Sequence, residues 1–308
     1  MTEDKTSELH DQITEIFSND ASGLLVAIGA VLLAAVVVTT SAIFLHLLRQ
    51  RSPRVSLPAP RWGFPEVILY LFGWYLLQFA FGSLVLVAFR ASPVTEVSSL
   101  IEYFARVPLA TSAQVAASSL AGLTIAGGIL LLPKLFGQPL TVIGLGTGSL
   151  LRAAKQGGLV WIFSLPGLLA INILWLYTLI ISGMDTAQQG VVLIFRDSVE
   201  YGSWATAFTI MSLAIVVAPI VEELLFRVVV FRWLEHRFGV GVGIVGSGVL
   251  FGLIHGSLFA FVPITVLGML LAALFHRTGN IWSCIALHAT FNAAQLCYMV
   301  IELSRQSA

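Results

Sequence analysis

Charge is what this chain has least of. Only 10% of its 308 residues are Asp, Glu, Lys or Arg, and the formal net charge is zero. Soluble domains typically carry about 25%. A neutral chain offers no basic surface for nucleic acid, so no nucleic-acid partner is expected. Cysteine is nearly missing too: Cys284 and Cys297 are the two, both on one expected helix. At a rise of about 1.5 Å per residue, their separation along that helix is too great for a disulfide. Both therefore read as packing residues. The basic region of a secretory signal is also lacking. Residues 1–20 hold one lysine against six carboxylates. The apolar run after them is longer than a signal core, so no cleavage is expected.

What the chain has in excess is apolar sequence. Hydrophobic residues make up 57% of it and the mean hydropathy is +0.93. Several runs reach the roughly 20 residues that cross a bilayer as a helix. The expected fold is all-α: a polytopic membrane bundle of about eight transmembrane helices. The first three are expected near 23–48, 66–89 and 111–132, and the fourth at 159–181. A fifth surrounds residue 222, a sixth begins near 240, and the last two cover 258–275 and 280–300. The expected organisation is a polar lead-in (1–20), an accessory region of about three spans (21–135), a core (136–303) and a short tail (304–308). Residues 149–155 read as a short amphipathic helix on the membrane surface, and 182–203 as an acidic loop. The run Gly144-Leu-Gly-Thr-Gly148 lacks the Gly-Lys-Ser/Thr ending of a phosphate loop and reads as a plain loop.

Of the 16 Lys and Arg residues, 11 fall on the side holding 49–61, 133–158, 227–237 and 277. The positive-inside rule makes that side cytoplasmic and places both termini outside. The expected location is the cell membrane, or the inner membrane if the chain is bacterial.

Ionisable groups stand out against this background. In Pro219-Ile-Val-Glu-Glu-Leu-Leu-Phe-Arg227, Glu223 and Arg227 are four apart and can pair on one helix face. Glu222 is rotated from them by about 100° and has no local partner. Such groups cost about 2.5–3.5 kcal/mol each at membrane depth, so they face a polar cavity or one another. Phe251 and His255 share a face one helix further on, and His288, Asn292 and Gln295 form a polar stripe on the last span. A glutamate, two histidines and an amide on three helices suit hydrolysis. Burial raises the basicity of Glu222, making it a general base near neutral pH. His255 can hold the same water, while His288 and Asn292 can donate to a developing oxyanion. Glycines 239, 243, 248, 252 and 256 read as close-approach positions that bring His255 toward the Glu222 helix. Pro219 should kink that helix and free a carbonyl near the site.

The ordered set Glu222-Glu223-x-x-x-Arg227, Phe251-x-x-x-His255 and His288-x-x-x-Asn292 resembles the three motifs of the CAAX prenyl protease and bacteriocin-processing family. Type II CAAX prenyl endopeptidases belong to that family. The resemblance covers roughly residues 140–300. It implies an intramembrane endopeptidase with Glu222, His255, His288 and Asn292 catalytic, and with Glu223, Arg227 and Phe251 supporting the site. Its implied substrate is a membrane-anchored peptide or protein, of the CAAX type or the bacteriocin and signalling-peptide type, met in the lipid bilayer. No cofactor is expected. The alternative is Zn²⁺ on Glu222, His255 and His288, against which stand the lack of a His-Glu-x-x-His helix and of an evident carboxylate partner for each histidine. Two other classes compete: a proton-coupled transporter using the buried groups, for which no internal repeat is visible, and a non-catalytic scaffold or immunity protein keeping the fold.

Overall fold

The computed structural model describes residue 29 and residues 55–89, 108–146 and 148–306. The polar lead-in, the first expected span apart from residue 29, and the polar stretch after the second span lie outside the described residues. Everything described is helix or connection, with no strand among the described residues.

Helix α1 is Phe64–Ala88 and α2 is Pro108–Leu135. A 3₁₀ turn at Leu140–Ile143 leads to α3, Leu150–Ile181, and α4 is Gly190–Glu200. A continuous helical run, 204–238, comes next. It is built from α5 (Trp204–Ser212), a π stretch (Leu213–Val217), α6 (Ala218–Glu223), a second π stretch (Leu224–Phe231) and α7 (Arg232–Phe238). The chain ends in α8 (Val240–Leu253), α9 (Leu258–Thr278) and α10 (Ile281–Gln306). Among the described residues, α1, α2, α3, α9 and most of α10 are long and apolar enough to cross a membrane. The run 204–238 lies at the centre: from Leu224 to Phe231, every apolar side chain flanking Arg227 is buried in the main core.

Three expectations are corrected by the structure. The expected surface helix at 149–155 is not separate. Ser149 caps α3 by accepting from the Arg152 amide at 3.2 Å, and the helix runs on without a break to Ile181. No residue there stops it, and Gly157 is seated against the backbone of Ser283 and Leu287 on α10. The expected loop at 182–203 contains α4, which buries Phe195 against Ala207 and Ile210 of α5 and Val115 of α2. The expected sixth span, α8, is only 14 residues. That is about 21 Å of helix, short of the roughly 30 Å hydrocarbon core.

The glycine row of α8 divides between two neighbours. Gly243 lies against Phe231 and Glu235 of the central run. A Cβ on Gly248 or Gly252 would instead meet the backbone and side chains of α9 around Phe261, Thr265 and Met269. Most of the close approach is thus to α9.

The basic segments gather at one end. Arg61 and Gln138 are cross-linked by bonds of 3.0 Å from the Arg61 amide and 2.8 Å from the Gln138 side chain to the Ala59 carbonyl. Arg232 donates to the Pro58 carbonyl and, at 2.9 Å, to Glu235, which also meets His276. Gly144, with φ of 75°, fits against Phe275 and the 279–281 turn. The glycine loop is therefore a packing element. The opposite end carries 183–203 and the turn after His255, joined where Ser257 Oγ donates to the Ala187 carbonyl at 3.3 Å.

Candidate active site

Glu222 and Glu223 end α6, between the two π stretches. Glu223 is fully buried, and both of its oxygens are engaged. Arg227 Nε donates to Oε2 at 2.7 Å and Nη2 to Oε1 at 3.4 Å. On Oε1 it also receives His288 Nδ1 at 3.0 Å. Arg227, itself 0% exposed, donates through Nη1 to Ser247 Oγ at 3.1 Å and lies 4.9 Å from the Phe251 ring centre. A charged pair this deep is tolerable only when its remaining valences are met, and here guanidinium and carboxylate each find further partners.

Glu222 points elsewhere. Its Oε2 is buried and makes no hydrogen bond. His255 Nε2 lies 4.0 Å from that oxygen and His288 Nε2 lies 3.9 Å from it. Both rings are held by their other nitrogen: His255 Nδ1 by the Phe251 carbonyl at 2.7 Å, His288 Nδ1 by Glu223. A carbonyl and a carboxylate only accept, so each Nδ1 carries its proton and each Nε2 faces Glu222. Phe251 separates the rings and supports both, at 5.0 Å from His255 and 5.6 Å from His288, edge to face.

Asn292 sits one turn beyond His288, and its amide donates to the Ala214 carbonyl at 2.7 Å. That carbonyl lies in the first π stretch, five residues before Pro219. Proline has no N–H to return to it, so the carbonyl is available to a side chain. Gln295 is exposed.

The structure brings Glu222, Glu223, Arg227, Phe251, His255 and His288 into one cluster, with Asn292 at its edge. It adds two residues that no sequence pattern marked. Ser247 is one, fully buried on α8. Tyr75 of α1 is the other: its hydroxyl approaches the Ile254 carbonyl at 3.5 Å, beside His255. Ser247 stands four residues before Phe251, a spacing that extends the motif stripe by one turn. Tyr75 sits in a mostly apolar span that also holds Tyr70, and no spacing there distinguishes it.

The same three atoms bear on metal binding. The expectation that neither histidine has a carboxylate partner is overturned for His288, which Glu223 holds, while His255 is held by the Phe251 carbonyl; both are partners of the kind that orient zinc-bound histidines. The spacing argues the other way. Two donors on one tetrahedral Zn²⁺, with bonds of about 2.0–2.2 Å, lie roughly 3.4 Å apart, closer than Glu222 is to either ring. Among the described residues no group of three His, Cys, Asp or Glu side chains is arranged to hold a metal.

Residues 204–294 match the family described as type II CAAX prenyl endopeptidase Rce1-like. The UPF0177 protein YbdI of Lactococcus lactis is 28% identical over 151 residues, 46% of this chain and 77% of YbdI. The candidate membrane peptidase YdiL of Bacillus subtilis is 34% identical over 77 residues, 25% of this chain and 32% of YdiL. No solved structure matches. The matched stretch runs from the start of the central helical run to just past Asn292 and holds every motif residue, so the likeness to the Rce1-like family lies in this core.

Proposed function

We propose that the chain is an intramembrane endopeptidase in which Glu222 activates a water for attack on a peptide bond. The observation that carries this reading is the convergence of three atoms: Glu222 Oε2 with the Nε2 atoms of His255 and His288, at 4.0 and 3.9 Å. Those separations are too long for direct hydrogen bonds and suit one water shared among the three. Glu222 takes the proton as the water attacks, through an Oε2 that no other group engages. His255, accepting through a neutral Nε2, holds the water's second proton and fixes its angle. His288 differs because an ionised carboxylate, Glu223, lies on its Nδ1. It can carry the extra proton and donate from Nε2 to the oxyanion that forms at the scissile carbonyl. Asn292 has a second amide N–H for the same oxygen. The proton held by Glu222 then passes to the leaving amine.

The site lies toward the end of the bundle that carries 183–203, and the Glu222 and His255 side chains retain 12% and 19% exposure. A substrate held in the bilayer therefore reaches it from that side, past Tyr75. The substrate class proposed is a membrane-associated peptide or protein, of the CAAX or bacteriocin and signalling-peptide type. The reaction is proposed to need no metal, because the donors stand too far apart for one tetrahedral ion. If Zn²⁺ were bound, Glu222, His255 and His288 would hold it, and it would supply Lewis-acid polarisation of the carbonyl.

The test is hydrolysis of a panel of membrane-anchored peptides, prenylated ones included, by purified protein in lipid nanodiscs with and without 1,10-phenanthroline. Cleavage that survives the chelator supports the proposal. Cleavage lost to the chelator and restored by Zn²⁺ replaces it with the metal mechanism. If nothing is cleaved while the purified protein drives proton-coupled uptake, the transporter class takes its place.

A further inference from the structure

We infer that Ser247 is a positioning residue of this site and the counterpart of Asn292, each fastening one of the two π stretches that flank Glu222 and Glu223. The inference rests on the proposed hydrolytic function. π-Helical segments are rare and usually no more than a turn long. Each accommodates the equivalent of one extra residue, so converting either to α-helix would rotate the remainder of the run by about 100°. The two glutamates sit between two such segments, Leu213–Val217 and Leu224–Phe231. Their direction relative to the rest of the run thus depends on both segments keeping their irregular form.

Each segment has a carbonyl tied to another helix. Ala214 accepts from Asn292 at 2.7 Å, on the helix that carries His288. Phe226 accepts from Ser247 Oγ at 3.3 Å, on the helix whose end leads into His255. Ser247 in turn accepts from Arg227 Nη1 at 3.1 Å, so one hydroxyl joins the π backbone to the ion pair that holds His288. Its position supports the assignment. Residues 247 and 251 are four apart on one face of α8, and His255 continues the spacing in the turn that ends the helix. Ser247 is 0% exposed, where a hydroxyl without such partners would be costly. The elements that carry the two histidines are therefore each fastened to the glutamate helix at a point about two turns or less from the site's side chains.

The test compares wild type, Ser247→Ala and Ser247→Thr in nanodiscs. Thr keeps the hydroxyl, and Ser247→Cys, nearly isosteric with a weaker donor, serves if Thr does not fold. Thermal unfolding confirms folding. The ring N–H resonance of His288, held downfield by Glu223, is followed in ¹⁵N-histidine-labelled protein. Ser247→Ala is expected to move that resonance and to lower kcat by about ten- to hundredfold, the scale of a misplacement near 1 Å. KM should stay within about twofold, since ground-state binding is untouched. The hydroxyl-bearing variant should restore both readouts. An unmoved resonance with unchanged kcat overturns the inference. So does a loss confined to thermal stability or to KM. If wild type cleaves nothing, the resonance alone decides, which separates failure of this inference from failure of the protease reading.

Discussion

At Glu223 the carboxylate oxygens are taken by Arg227 and His288, whereas at Glu222 Oε2 has no hydrogen bond and two imidazole nitrogens face it. Adjacent residues of one type thus hold different chemistry, and the difference was readable from the sequence: the i, i+4 spacing to Arg227 claims Glu223 and leaves Glu222 unclaimed. The bond from Glu223 to His288 was not readable, because it joins residues 65 apart across two helices. Two predictions belong at this scale. Arg227→Ala strands a buried carboxylate and should destabilise the protein by about 3–5 kcal/mol, measurable by denaturant unfolding in nanodiscs. His255→Ala removes a partly exposed ring from the proposed water site. It should cut kcat by about 10²–10⁴ with little change in the unfolding midpoint; a midpoint that falls as far as for Arg227→Ala would make His255 a packing residue.

Among the elements, the long apolar helices were legible because length and hydropathy alone define them, and α1, α2, α9 and α10 lie within a few residues of the expected spans. Where the sequence misled, the cause was local. Arg196, Asp197 and Glu200 make 182–203 look like a polar loop, yet Phe195 faces inward and organises α4. Arg152 and Lys155 suggested a separate surface helix, but both are exposed at the start of α3 and need no break there. The expected span that begins near 240 is cut short as α8, because the turn at 254–257 stops it beside Glu222. The contact of α3 with α10 gives a test at this scale. A Cβ on Gly157 would fall against the Ser283 carbonyl and the Leu287 amide, the latter directly before His288. Gly157→Ala should therefore destabilise by about 1–3 kcal/mol, as overpacking does, and lower activity by shifting His288. Wild-type stability and turnover in that variant would show that the two helices are not in such close contact.

For the whole molecule, the connector at 55–61, the loop after α2, the end of the central run and the end of α9 converge at one pole. These are the segments that carry the Lys and Arg excess. By the positive-inside rule we propose that this pole is cytoplasmic, which predicts that the site opens toward the opposite face. In intact cells and a Cys297→Ser background, a cysteine introduced at Asp185 should react with a membrane-impermeant maleimide, and one at Ser149 should not. The reverse labelling pattern would invert the orientation and bring substrate from the cytoplasm. The family match begins at residue 204, so α1 to α4 lie outside it. Tyr75 beside the Ile254 carbonyl, Gly122 against Val221 and Gly157 against Leu287 are places where that region touches the site.

The central claim is that Glu222 is the base. Its most direct test is a side-by-side assay of wild type and Glu222→Gln in nanodiscs, on any membrane-anchored peptide that wild type cleaves. The substitution keeps the side chain's size and removes its charge, so folding should be unchanged. The account predicts no turnover above background from Glu222→Gln, with the same thermal unfolding midpoint as wild type. Turnover comparable to wild type would contradict it and move the base to another residue.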